Sequence, residues 1–225
     1  KRDVIPFGIF LSLIMWTRPD GVAFIGALAV DYMLLNHLSK SDTAIKLFTK
    51  QDIIKIGVIA VVFLVIYFIM NLTLSGSLLP NTYNAKLTYY APEFRSRAEF
   101  LKFEVWDYFT KGFYGIIIIG FFAGLYFTLA DLFKKKYNGN FLYLVFIAAF
   151  VFIYWYKLPY AHRFGRYLMP IIPFMIIVSS TGFKDMFKAF GGFLKNRTIA
   201  VYGTIILLLV ISAFSFNNYL ENKNN

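Results

Sequence analysis

"IIKIGVIAVVFLVIYFIMNL", Ile53–Leu72, decides the fold. Its 20 residues carry a single charge, Lys55, and at about 1.5 Å per residue a helix of that length spans a hydrocarbon core of roughly 30 Å. In lipid every backbone N–H and C=O must be satisfied within the segment, so such a run is read as a helix. Similar runs recur along the chain at Val4–Trp16, Val22–Leu38, Gly112–Phe133, Phe141–Tyr156, Leu168–Phe183 and Thr198–Phe216. The second, third, fourth and seventh are long enough to cross; the fifth and sixth are short, and the first covers only about 20 Å. Pro170 and Pro173 are expected to disrupt the start of the sixth and leave backbone groups free there. The expected fold is all-α. It is a polytopic transmembrane helical bundle of about seven apolar helices over residues 1–225, with a long external loop, 73–111, that carries an amphipathic helix.

The composition agrees: 59% of the residues are hydrophobic, 20% are aromatic and the mean hydropathy is +0.61. The net charge of +11 would suggest nucleic acid in a soluble domain; here it flanks membrane spans, and no nucleic-acid partner is expected. With no cysteine, disulfides, thiolate chemistry and Cys-based metal sites are excluded. The chain begins at Lys1, and its first apolar run lacks a small-residue cleavage site, so the expectation is a fragment of a longer protein.

Orientation follows from Lys and Arg. One set of alternate loops holds 13 of them and the other 10, or 5 once the mixed-charge loop 73–111 is set aside. The richer set, with Lys134 to Lys136 and Lys184 to Arg197, is read as cytoplasmic. Three unusual segments then fall on the external face: "TRPDG" (Thr17–Gly21), "LPNTYNAK" (Leu79–Lys86) and "YAHRFGRY" (Tyr160–Tyr167). Segments scattered in sequence and gathered on one surface are what a composite site requires.

Each segment has a bland reading and a functional one. His162, Arg163 and Arg166 are either a charged turn that snorkels to headgroups or a phosphate site, since an Arg pair presents planar donors that suit phosphate. Tyr167 adds a ring and a hydroxyl. Arg18 and Asp20 form either a turn with a neutralising ion pair or a phosphate and hydroxyl contact. Asn81, Tyr83 and Lys86, with their neighbours, offer amide, aromatic and cationic groups suited to sugars, although Asn and Thr after Pro also simply make turns. "FRSRAEFLKFEVWDYF" (Phe94–Phe109) has helical spacing and reads as an interfacial lid or scaffold, with Phe100 and Phe103 toward the membrane. Asp31, inside the second span, reads as a helix–helix hydrogen bond. There is no phosphate-cradling glycine loop, no nucleophile elbow and no internal repeat.

"TRPDG", "G-x-L-x-PNT-x-x-x-K" (Gly76 to Lys86) and "RYLMPIIP" (Arg166 to Pro173), in that order, resemble the GT-C membrane glycosyltransferases. Among these the chain is most similar to bacterial enzymes related to protein mannosyltransferases and arabinofuranosyltransferases. The resemblance implies a bacterial inner (plasma) membrane protein with its active site on the periplasmic or extracellular side. It also implies a polyprenyl-phosphate-sugar donor and a glycan, lipid or protein acceptor. The family's catalytic carboxylate lies in an early external loop, which puts it upstream of residue 1. What remains for this chain is substrate binding by Arg18, Asp20, Asn81, Tyr83, Lys86, His162, Arg163, Arg166 and Tyr167. No organic cofactor is called for, and a divalent cation is compatible with the chemistry although no ligand set is visible. The alternative is a transporter or flippase whose external cations bind an anionic lipid-linked or small anionic substrate without chemistry.

Overall fold

A computed structural model describes residues 3–17, 21–38, 48–78, 80, 85, 88–110, 114–159 and 167–193. Among the described residues the architecture is helical, without strands. Six longer helices follow one another: α1 (Val4–Thr17), α2 (Val22–Leu38), α3 (Lys50–Ser75), α4 (Gly115–Phe133), α5 (Asn140–Lys157) and α6 (Ile172–Phe193). Between α3 and α4 lies a shorter loop helix, residues 97–110. Three of these helices, α3, α4 and α5, are long and apolar enough to cross a membrane. The fifth run, expected to be short, gains a residue at each end and reaches 18 residues, whereas α2 stops at 17.

The run Ile53–Leu72 is extended at both ends by caps. Thr49 and Asp52 form a reciprocal capping box, with the Asp52 N–H donating to Thr49 Oγ1 at 3.2 Å and the Thr49 N–H to Asp52 Oδ2 at 2.9 Å. At the other end Gly76 takes φ 69°, which a residue without a Cβ adopts freely, and its N–H closes the helix on the Leu72 carbonyl.

The chain divides into two compact units, Lys1–Phe94 and Arg95–Asn225, with the boundary inside the loop 73–111. In the first, α1 and α3 run parallel. The Phe7 and Phe48 rings lie 5.2 Å apart, Gly8 meets Ile59, and Trp16 meets the Phe63 ring edge-on and donates its indole N–H to the Phe63 carbonyl at 3.2 Å. A cavity of ≈ 10 Å³ between Ser12, Trp16 and Leu64 has room for about one water, and is far too small for a sugar. No residue of α3 is buried, and Val58, Val61, Val65 and Ile69 are exposed on it. A surface that apolar needs hydrocarbon around it rather than water.

In the second unit α4 and α6 meet at small residues. A Cβ on Gly182 would strike the backbone of Gly120 and Gly124, and one on Gly124 would strike Val178. Such close approach lets two backbones pack by dispersion where lipid provides no hydrophobic drive. Helix α5 runs antiparallel to α6: Asn140 Nδ2 donates to Thr181 Oγ1 at 2.7 Å near one end, and the Phe146 and Phe174 rings are 4.7 Å apart further along. Phe150, Leu168, Ile171 and Val178 are fully buried and form the centre of this unit.

The prolines before α6 start the helix instead of disrupting it. Pro170 lies in a 3₁₀ turn, Met169–Ile171, and Pro173 in the first turn of α6, where no N–H is required. The Ile171 N–H is satisfied by the Leu168 carbonyl at 3.1 Å, so that donor is not left free. Helix α6 also continues past Phe183 to Phe193, with Lys188 3.6 Å from Asp185. The apolar run ends there, but the helix does not.

Candidate functional site

Of the candidate residues, Tyr167 is described. Arg18, Asp20, Asn81, Tyr83, Lys86, His162, Arg163 and Arg166 lie outside the described residues, as does the seventh run, Thr198–Phe216. The framework on either side of each segment is on view.

"TRPDG" is held between α1 and α2. Thr17 Oγ1 donates to the Ile14 carbonyl at 3.0 Å, and Gly21 lies so close to Ile14 that a Cβ would collide with its side chain and carbonyl. The glycine of this motif is therefore demanded by packing. "LPNTYNAK" follows the left-handed cap at Gly76. "YAHRFGRY" is anchored at both ends, with Leu158 and Pro159 buried before it and Tyr167 and Leu168 buried at its close. The Tyr167 ring packs 5.7 Å from Tyr154 and is 8% exposed, which places it in the packing of the unit. Asp31 is likewise buried on α2.

The loop helix is built on the second unit. Ser96 and Glu99 cap its start: the Glu99 N–H donates to Ser96 Oγ at 3.3 Å, and the Ser96 N–H donates to Glu99 Oε2 at 3.0 Å. These Ser96 hydrogen bonds, side chain first, hold the Glu99 carboxyl below its ordinary range, with Arg95 assisting. The next seven residues, Phe100–Trp106, are π-helical, a widened form often found near functional sites. Phe100 is fully buried and Phe109 nearly so, while Leu101, Phe103 and Trp106 are exposed. Phe100 thus packs into protein, not toward a membrane; the wider turn separates it from Phe103. Arg95 pairs with Glu104 at 3.2 Å and lies over the Phe103 ring. Beyond it, burial and the neighbouring Tyr114 hydroxyl push the Tyr108 hydroxyl up to about 12.

This helix is tied to the C-terminal end of α5. The Arg95 N–H donates to the Pro159 carbonyl at 2.7 Å, Arg97 Nη2 to the Tyr156 carbonyl at 3.0 Å, and Trp155 Nε1 to the Arg97 carbonyl at 3.2 Å. The structure therefore brings the later part of the long loop to Tyr156–Pro159, directly before "YAHRFGRY" in the sequence. The cluster of Arg97, Trp155 and Tyr156 has no local signature in the sequence, because Arg97 is 58 and 59 residues from the other two. The four-residue spacing of Gly120, Gly124 and Thr128, all buried, was a legible signal of the α4–α6 seam. Among the described residues no group of three or more His, Asp or Glu side chains could hold a metal ion. No family model matches this chain, and neither the curated proteins nor the solved structures contain a match.

Proposed function

We propose that this chain is part of a membrane glycosyltransferase that moves a sugar from a polyprenyl-phosphate donor to an acceptor at the outer face of a bacterial plasma membrane. The observation that carries the proposal is the triple tie between Arg95–Arg97 and Tyr156–Pro159. It brings the later part of the long loop to Tyr156–Pro159, which in the sequence comes directly before the segment with Arg163 and Arg166.

In the proposed reaction an acceptor oxygen attacks the anomeric carbon, and the bond from that carbon to the phosphate oxygen breaks. The electron pair leaves on polyprenyl phosphate, and the acceptor proton passes to a carboxylate base, the group that the GT-C resemblance implies. Arg163 and Arg166, with Arg18 and Lys86, would stabilise the charge that grows on the leaving phosphate. Preorganised cations do this best where water is scarce. Asn81 and Tyr83 would contact the sugar, with Asp20 and His162 at its hydroxyls.

The test is a proteoliposome assay with a sugar-labelled polyprenyl-phosphate donor. Label appearing in a new glycosidic bond, with release of polyprenyl phosphate, supports transfer. Label that crosses the bilayer still joined to its lipid supports a flippase and overturns the proposal.

A further inference from the structure

The C-terminal end of α5 carries a cluster that the transfer reaction does not use. Phe152 and Tyr156 are exposed and stack face to face, 5.9 Å apart at 3°, with Trp155 beside Phe152 at 5.6 Å. Arg97 reaches across from the loop helix, its guanidinium 5.6 Å from the Trp155 ring centre and 5.8 Å from that of Tyr156. Lys157 Nζ lies 5.0 Å from the same Tyr156 ring. Unlike Arg95, which is matched by Glu104, neither Arg97 nor Lys157 has a carboxylate partner among the described residues.

This patch closes an apolar helix long enough to cross a bilayer. An exposed Tyr and a half-buried Trp at the end of such a span belong at headgroup depth, where one side of the ring is wet and the other apolar. Arg97 has spent one guanidinium nitrogen on the Tyr156 carbonyl and is held against two rings, so its remaining donors are oriented before any ligand arrives. Two unmatched cations on an aromatic shelf at that depth suit a lipid phosphate.

We infer that Arg97 and Lys157, on the shelf of Phe152, Trp155 and Tyr156, bind the phosphate of an anionic bilayer phospholipid and so dock the loop helix onto the membrane surface. The occupant is a phospholipid because the patch continues the exposed stripe of Ala148, Phe152 and Tyr156 on a helix apolar enough to cross a bilayer. The inference is independent of whether sugar transfer occurs.

The test uses the full chain with Trp16→Phe and Trp106→Phe, which leaves Trp155 as the one tryptophan. It is reconstituted in phosphatidylcholine vesicles with a small fraction of spin-labelled phosphatidylglycerol or spin-labelled phosphatidylcholine. Phosphatidylglycerol should quench Trp155 preferentially, and Arg97→Gln with Lys157→Gln should remove the preference by roughly fivefold per cation. Equal quenching by both lipids, or a preference untouched by the double variant, overturns the inference. So does displacement of the quencher by a polyprenyl phosphate, or by millimolar inorganic phosphate, where unlabelled phosphatidylglycerol fails. Should the tryptophan replacements disturb folding, native mass spectrometry of the chain with its tryptophans intact gives a second reading. Retained phosphatidylglycerol that disappears in the Arg97→Gln/Lys157→Gln variant supports the inference; none retained by the parent overturns it.

Discussion

Trp155 donates its indole N–H to the Arg97 carbonyl at 3.2 Å, while the Arg97 guanidinium lies over the Trp155 ring. The bond and the ring contact join a loop helix to the end of an apolar helix 58 residues away. Because the indole bond is made to backbone, it fixes the start of the loop helix whatever side chain stands at position 97. The ring contact depends on Arg97 itself. Trp155→Phe should therefore loosen the loop helix more than Arg97→Gln does, with protease sensitivity of residues 97–110 as the readout. The reverse order would count against this division of roles.

The cap of the loop helix makes it sensitive to acid. Ser96 lowers the folded-state pKa of Glu99, so the stabilisation is fully present above the ordinary carboxylate range and disappears as pH falls through the lowered value. Amide exchange in residues 97–110, corrected for intrinsic rate, should show less protection at low pH. Glu99→Gln should flatten that dependence; an unchanged profile in the variant would assign the effect elsewhere.

Phe100 and Trp106 should respond differently to truncation. Phe100 is fully buried, and Phe100→Ala should cost about 3–5 kcal/mol, read as a lower unfolding midpoint of the second unit. Trp106 is exposed, and Trp106→Ala should leave that midpoint nearly unchanged while reducing vesicle contact of the loop. Equal loss of stability in both variants would contradict the burial pattern.

Glycines separate in the same way. Gly182→Leu forces a side chain into the backbone of Gly120 and Gly124, and should destabilise the protein by at least the roughly 1–3 kcal/mol typical of overpacking. Gly57 on α3 has nothing near a prospective Cβ, so Gly57→Ala should be neutral or stabilising by up to about 1 kcal/mol. Thermal unfolding in detergent compares the two.

Apolarity made the long helices legible. Val22–Leu38 matches α2 at both ends, and Ile53–Leu72 lies wholly within α3, because a lipid-length apolar run has few alternatives to helix. The end of α6 is not legible from hydropathy: from Lys184 on, charged Lys184, Asp185 and Lys188 alternate with Phe187 and Phe190, so the apolar run stops while the helix goes on. The α4–α6 seam leaves no mark in hydropathy, because glycine adds little to it although it sets how closely backbones approach. Cross-chain ties such as Arg97 to Trp155 have no periodic signature at all. The candidate residues are legible only as chemical types, and of them the structure describes Tyr167, which it buries against Tyr154.

The sidedness on which the composite site depends is open to labelling. Cysteines placed at Asn84 and His162 should react with an impermeant thiol reagent added outside intact cells, and one at Tyr137 should not. Labelling at 137 would reverse the orientation and separate the three segments from the outer face.

The most direct measurement is donor-dependent sugar transfer by Arg166 variants of the protein in proteoliposomes, at matched protein levels. A planar fork on the donor phosphate predicts that Arg166→Lys impairs transfer despite keeping its charge. Arg166→Ala should impair it further, by about 2–4 kcal/mol of transition-state stabilisation. Near-normal transfer by both variants would contradict the account and leave Arg166 as a cation that merely snorkels to the headgroups.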